Sequence, residues 1–226
     1  VELRAQSGLG RIVGSDPRMQ EIYDIVESVA GTPSTVLLNG ESGTGKSLIA
    51  RVIHRHSSRS SGPFVELACG SIPETLLESE LFGHVKGAFT DAHADKVGKF
   101  LAADGGTLFL DEINSASPGM QLKLLRVLQD HVFEPIGSNE SIEVDVRVIL
   151  ATNEPLEPLV ESGAFRKDLY YRINVVTIEL PPLRERSSDI PTLARHFVAQ
   201  KSDEVGKRMT GLTDAALEAL QAYDFP

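Results

Sequence analysis

The chain has 226 residues, 41% of them hydrophobic, enough for one sizeable buried core with a small satellite. Its 22 Lys and Arg against 32 Asp and Glu leave a formal net charge of −10, a sign that does not attract a nucleic-acid backbone. A single cysteine, Cys69, excludes an internal disulfide, and no apolar run approaches the roughly 18 residues of a membrane span, so a cytoplasmic chain without membrane contact is expected.

In chain order, Ile12, Val13 and Gly14, followed by Met19, form an apolar stretch that reads equally as core or as a surface for a flat ring. Residues 35–38 read as a strand, and Gly40, Glu41, Ser42, Gly43, Thr44, Gly45, Lys46 and Ser47 then satisfy the pattern G-x-x-x-x-G-K-[ST] before a helix over 47–56 that includes Leu48. Glycines in such a loop turn backbone N–H groups inward around a phosphate, and the helix N-terminus adds positive potential. Lys46 then reaches the β/γ oxygens and Ser47 offers a hydroxyl to Mg²⁺. ATP with Mg²⁺ is the expected ligand. His54 and His56, two apart on this helix, diverge and read as solvated, not as a metal pair.

A strand over 64–67 and a helix over 74–82 precede the hexapeptide Gly87, Ala88, Phe89, Thr90, Asp91 and Ala92. A large aromatic between small residues is a hydrophobic anchor for a partner. The strand over 107–110 delivers Asp111 and Glu112 at its C-terminal edge, where ligands of open parallel sheets bind. Asp111 suits Mg²⁺ and Glu112 suits a general base acting on water near the γ-phosphate. A helix over 120–130 follows Ser117 and Pro118 in cap and first-turn positions, and a strand over 146–151 leads to Asn153, placed to bond the γ-phosphate or the attacking water.

Arg166 and Arg172 follow, near the edge of the expected cleft. Arginine suits a finger that donates in a fixed fork to phosphoryl oxygens of a neighbouring protomer; the alternative is a surface salt bridge with Asp168 or Glu185. After a strand over 175–179, the pair Pro181 and Pro182 marks a boundary, with helices over 190–201 and 214–222 forming a small all-helical lid. Ser187 to Asp189 reads as the cap that starts the first of these. Apolar runs alternating with helical patterns predict an α/β fold: a five-stranded parallel sheet between helices. The division is an α/β subdomain over 1–181 and a partial lid over 182–226.

These residues resemble the AAA+ P-loop NTPase domain of sigma-54-dependent, NtrC-like activators over almost the whole chain. The likeness also includes Glu78-Ser79-Glu80-Leu81-Phe82-Gly83-His84, Ala103-Asp104-Gly105-Gly106-Thr107 and Leu180-Pro181-Pro182-Leu183-Arg184-Glu185-Arg186. The resemblance implies a hexameric or heptameric ring whose ATP cycle moves a loop over 84–95 to remodel the closed sigma-54 RNA polymerase holoenzyme, with Phe89 and Thr90 touching sigma-54. It implies a supporting hairpin over about 132–144, adenine packing on Ile12, Val13 and Gly14, and a sensor role for Asn153. A larger signal-responsive regulator is expected, because the chain starts at Val1 without Met and stops at Pro226 before the lid arginine of the family pattern. DNA contact would come through a domain outside it. Asp91 stands where glycine is common, and Ala68 where the family usually has an asparagine that restrains the catalytic glutamate. Two alternatives stay open: an AAA+ remodeller of another client, and a nucleotide-responsive binding module without turnover.

Overall fold

The computed structural model describes residues 13–207, 209 and 211–225, apart from the side chain of Thr75. Ile12, expected at the adenine, lies outside the described residues. Five strands, β1 (Val36–Asn39), β2 (Phe64–Ala68), β5 (Thr107–Asp111), β8 (Arg147–Thr152) and β9 (Val176–Glu179), pair in parallel in the order β2-β5-β8-β1-β9. Parallel sheets are covered on both faces, so their strands read as continuous apolar runs, and the fully buried Val36, Leu37 and Leu38 of β1 show it.

Alternation along each strand divides the core. Val36, Leu38, Phe109 and Ile149 face the helices α1 (Pro17–Ala30) and α2 (Lys46–Arg55), where they pack with Met19, Val26, Ile49 and Ile53. Leu37, Leu108, Leu110 and Leu150 face the opposite layer. That layer comprises α3 (Glu74–Phe82), the short α4 (Lys99–Ala102), α5 (Pro118–Asp130), α6 (Glu157–Glu161) and α7 (Lys167–Ile173). Ser117 accepts from the Met120 N–H at 3.3 Å and Pro118 occupies the first turn of α5, as its sequence predicts. Helix α1 is a difference from the expected elements, although its buried Met19, Ile22, Tyr23, Val26, Val29 and Ala30 recur at helical spacing. Its C-terminus rests on buried Arg147, whose Nη1 and Nη2 donate to the Ala30 and Val29 carbonyls at 2.6 and 2.8 Å. Burial brings the Arg147 guanidinium down to about 10.

Two small antiparallel ribbons project from this body. In one, β3 (Gly83–His84) pairs with β4 (Lys96–Val97); in the other, β6 (Val132–Phe133) pairs with β7 (Ile142–Glu143). After β9 a 3-10 segment, Leu183–Asp189, leads into the lid helices α8 (Ile190–Val205) and α9 (Asp214–Gln221). No helix among the described residues is long and apolar enough to cross a membrane.

Candidate functional site: a phosphate loop beside an acidic strand end

Strand β1 hands the chain to the glycine-rich loop, and the Gly40 N–H donates to the Thr152 carbonyl of β8 at 3.3 Å, fixing the loop to the sheet's C-terminal edge. Gly45 caps α2 with φ of 102°, a left-handed conformation that side chains rarely adopt. A Cβ built at Gly43 or Gly45 would meet nothing within 4 Å, so the cradle is open to a phosphate. Lys46, only 6% exposed, donates from Nζ to the Gly40 and Glu41 carbonyls at 2.7 and 2.9 Å. Burial lowers the pKa of its ammonium, against the opposing pull of Asp111 and Glu112. Loop carbonyls thus hold a desolvated cation where phosphate oxygens would be stronger acceptors. Ser47 is half-buried in the first turn of α2, and the exposed Leu48 follows it.

Across the sheet, β5 ends in Asp111, whose Oδ1 accepts from the Glu112 N–H at 2.9 Å. Glu112 has φ 55° and ψ 47°, a left-handed conformation costing a non-glycine residue about 1 kcal/mol or more. Asn153 directly follows β8, and its Oδ1 accepts from Asn114 Nδ2 at 3.0 Å; the same amide donates to Glu154 at 2.7 Å. The sequence reading missed Asn114, since its partners lie 39 and 40 residues away. Burial, helped by Asp111 and Glu112, pushes the Cys69 thiol up to about 12, so it stays protonated and is no nucleophile.

The loop borders a cavity of about 580 Å³ whose other walls include Val13, Met19, Leu183, Arg186 and Phe197. Gly14 stands behind this wall: a Cβ there would lie 2.7 Å from Asp189 Oδ2. Asp189, fully buried, accepts from the Ser15 and Asp16 N–H groups at 2.6 and 3.0 Å. It therefore anchors the start of α1 and makes no side-chain cap on α8, which corrects the cap expected at Ser187 to Asp189. Ser188 instead donates to Asp16, and Arg18 pairs with Glu185 at 2.9 Å. Arg184 pairs with Glu41 of the phosphate loop, while buried Arg186 donates to the Thr44 carbonyl at 3.1 Å.

His54 is likewise not solvated. It is 6% exposed, its Nδ1 lies 2.9 Å from Thr107 Oγ1 and its ring packs on Phe64, because helical rotation turns it to the sheet. Arg166 forms a forked pair with Asp168 at 3.0 and 2.7 Å, the surface alternative within this single chain. Arg172 donates from Nε to the Leu128 carbonyl at 3.0 Å and borders a second cavity, of about 330 Å³, with Pro33, Ser34 and Thr35. Those residues precede β1 whereas the phosphate loop follows it, so Arg172 stands at the opposite sheet edge from its own loop.

In the hexapeptide, the Gly87 N–H donates to Ala92 and the Ala92 N–H to Phe89, each at 2.9 Å. Ala92 is buried; Phe89, Thr90 and Asp91 are exposed, Phe89 by 38%, with its ring edge-on to His84 at 4.8 Å between centroids. The second ribbon supports this loop: the Val85 N–H donates to Ile136 at 3.1 Å, and a Cβ at Gly137 would lie 2.6 Å from that of Ala88.

A phosphate-binding loop after the interior strand β1, carboxylates at the end of β5 and a helical lid beyond β9 define an AAA+ P-loop NTPase fold. The chain belongs to the sigma-54 interaction domain family, whose model matches residues 12–179, and an AAA+ ATPase lid domain model matches residues 184–226. It is 52% identical over 226 residues to the Nif-specific regulatory protein of Azotobacter vinelandii, covering all of this chain and 43% of that protein. To the transcriptional regulatory protein ZraR of Salmonella typhimurium it is 50% identical over 222 residues, covering 98% of this chain and 50% of the relative. The chain thus spans half or less of the length of these curated relatives. Among solved structures, NtrX from Brucella abortus in complex with ATP superposes with a TM-score of 0.89 at 38% identity, over 95% of this chain and 46% of NtrX.

Proposed function

We propose that the chain is the ATP-hydrolysing motor domain of a sigma-54-dependent transcription activator. The observation that carries this reading is the meeting of Lys46, Asp111, Glu112 and Asn153 at one sheet edge, in a molecule that also presents an exposed Phe89 on a separate ribbon. The nucleotide lies in the larger cavity, its phosphates in the loop from Gly40 to Ser47 and its adenine against Val13 and Met19. Ser47 and Asp111 are the residues that would hold Mg²⁺, which would supply positive charge to the phosphates when bound.

Lys46 exchanges the Gly40 and Glu41 carbonyls for phosphate oxygens. Glu112 accepts the proton of the attacking water, and Asn153, oriented by Asn114, positions that water or a γ-oxygen. Neither finger candidate reaches its own chain's site, because Arg172 stands at the far edge and Arg166 is paired with Asp168. In a closed ring of copies, either arginine can be supplied to the nucleotide of a neighbour. Phe89 and Thr90 touch sigma-54, and turnover moves their loop to remodel the closed polymerase complex.

The test is ATPase rate per protomer against protein concentration with Mg²⁺, for the chain and for Arg172→Ala, alongside sigma-54 capture by Phe89→Ala. A rate that climbs with concentration and collapses in the arginine variant, with capture lost but hydrolysis kept in the phenylalanine variant, is expected. A concentration-independent rate untouched by Arg172→Ala removes the shared site, and absence of turnover in every form returns the chain to a binding module.

A further inference from the structure

Register places Ala68 of β2 beside Asp111 of β5, so the residues that follow these strands are neighbours: the 3-10 turn Cys69–Ser71 packs on the turn Ile113–Ser115. The left-handed backbone of Glu112 sends its side chain across this junction. At Gly70, the position a Cβ would take falls inside the contact distance of Glu112 Oε2, at 3.2 Å from Glu112 Cδ and 3.3 Å from Ser115 Oγ. The carboxylate rests on the bare Cα of the glycine. Gly70 begins no left-handed turn, so backbone freedom does not explain it; the missing side chain does. No described side chain donates a hydrogen bond to the Glu112 carboxylate, Ala68 offers only a methyl, and Lys46 acts on it through charge alone.

Sheet order gives this seat a direction. Strand β2 lies on the side of β5 away from β1, and the phosphate loop follows β1. A Glu112 side chain seated on Gly70 therefore reaches away from the phosphates. We propose that Gly70 is a positioning residue for Glu112, a steric seat in which the base rests out of line between turnovers, held by fit and not by a hydrogen bond. This rests on the reading of Glu112 as general base. A base held only by fit leaves its seat whenever the Cys69–Ser71 turn shifts, so contact with sigma-54 needs to break no side-chain bond to release it.

Gly70→Ala tests this directly, because the added methyl meets the far end of a flexible side chain and leaves the backbone alone. Steady-state ATPase with and without sigma-54 is measured for the chain, Gly70→Ala, Glu112→Gln and the double variant, with thermal unfolding to confirm that each folds. Eviction is expected to raise basal kcat by about three- to tenfold with KM unchanged, as when a resting state favoured by about 0.7–1.4 kcal/mol is removed, and to shrink sigma-54 stimulation by the same factor. The double variant must be as inactive as Glu112→Gln, which shows that the gain passes through the carboxylate. An unchanged or lowered kcat in folded Gly70→Ala overturns the seat. Turnover surviving in Glu112→Gln overturns the general-base reading instead, so the two failures are distinct.

Discussion

Replacing Asp189 with alanine removes a fully buried carboxylate whose Oδ1 accepts the Ser15 and Asp16 N–H groups at 2.6 and 3.0 Å. Hydrogen bonds to a charged group contribute about 1.5–3 kcal/mol each. Here Oδ2 has no hydrogen-bond partner and the freed amides are half-buried, so the lower end applies and the pair is worth about 3 kcal/mol. A domain of this size loses about 2–4 °C of Tm per kcal/mol, so Asp189→Ala is expected to melt about 6–12 °C lower. The carboxylate also fills the place of a Gly14 side chain, 2.7 Å from the Cβ position. Gly14→Ala is therefore costly beside Asp189 and cheap beside alanine, and the double variant should be more stable than the sum of the two changes. Circular dichroism melts of the four proteins measure both effects. A Tm loss under about 2 °C for Asp189→Ala, or additivity within about 0.5 kcal/mol across the cycle, refutes the anchor.

Lys46→Ala is expected to raise the Kd for ATP at least about tenfold in a fluorescence titration, since one charge-assisted contact is worth about 1.5–3 kcal/mol. Gly137→Ala forces a left-handed alanine, at roughly 1–2 kcal/mol, onto Ala88, and should lose sigma-54 capture in a pull-down while retaining ATPase. Burial, with help from Arg55 and Arg147, lowers the pKa of His54 from its ordinary value of about 6.5. A folded value below the unfolded one means that its contribution to stability is complete above about pH 6.5 and is lost as pH falls through the folded value. His54→Gln should therefore flatten the fall in Tm between about pH 7 and 5; an unchanged slope contradicts the buried neutral ring.

The phosphate loop and the Asp111–Glu112 strand end were legible because each is a contiguous motif whose chemistry lies in its spacing. The strands came within a residue or two of their observed bounds for a related reason: buried parallel strands are apolar runs ended by turn residues. Helix α1 carried an equally readable period but was absorbed into the apolar stretch beside Val13 and Met19. Contacts made across the fold were not legible. Asp189 meets Ser15 from 174 residues away, and His54 meets Thr107 from 53, so burial of either depends on which elements the sheet brings together. Gly70 carries no signal in the sequence, and only the strand order puts Glu112 beside it. The arginines had the right chemistry for a finger, but that Arg172 and the phosphate loop stand at opposite ends of β1 emerges only from the fold.

The 3-10 segment Leu183–Asp189 is fastened to the phosphate loop by Arg184 and Arg186, and to the start of α1 by Glu185, Ser188 and Asp189. It is thus tied to the body it leaves as well as packed on the lid helix it enters. A rotation of α8 and α9 about Asp189 would load two attachments, one at the phosphate loop through Glu41 and Thr44 and one at the start of α1. Such a joint would act as a bell crank, turning a rotation of the lid into displacements at the phosphate loop and at the start of α1, and the reverse.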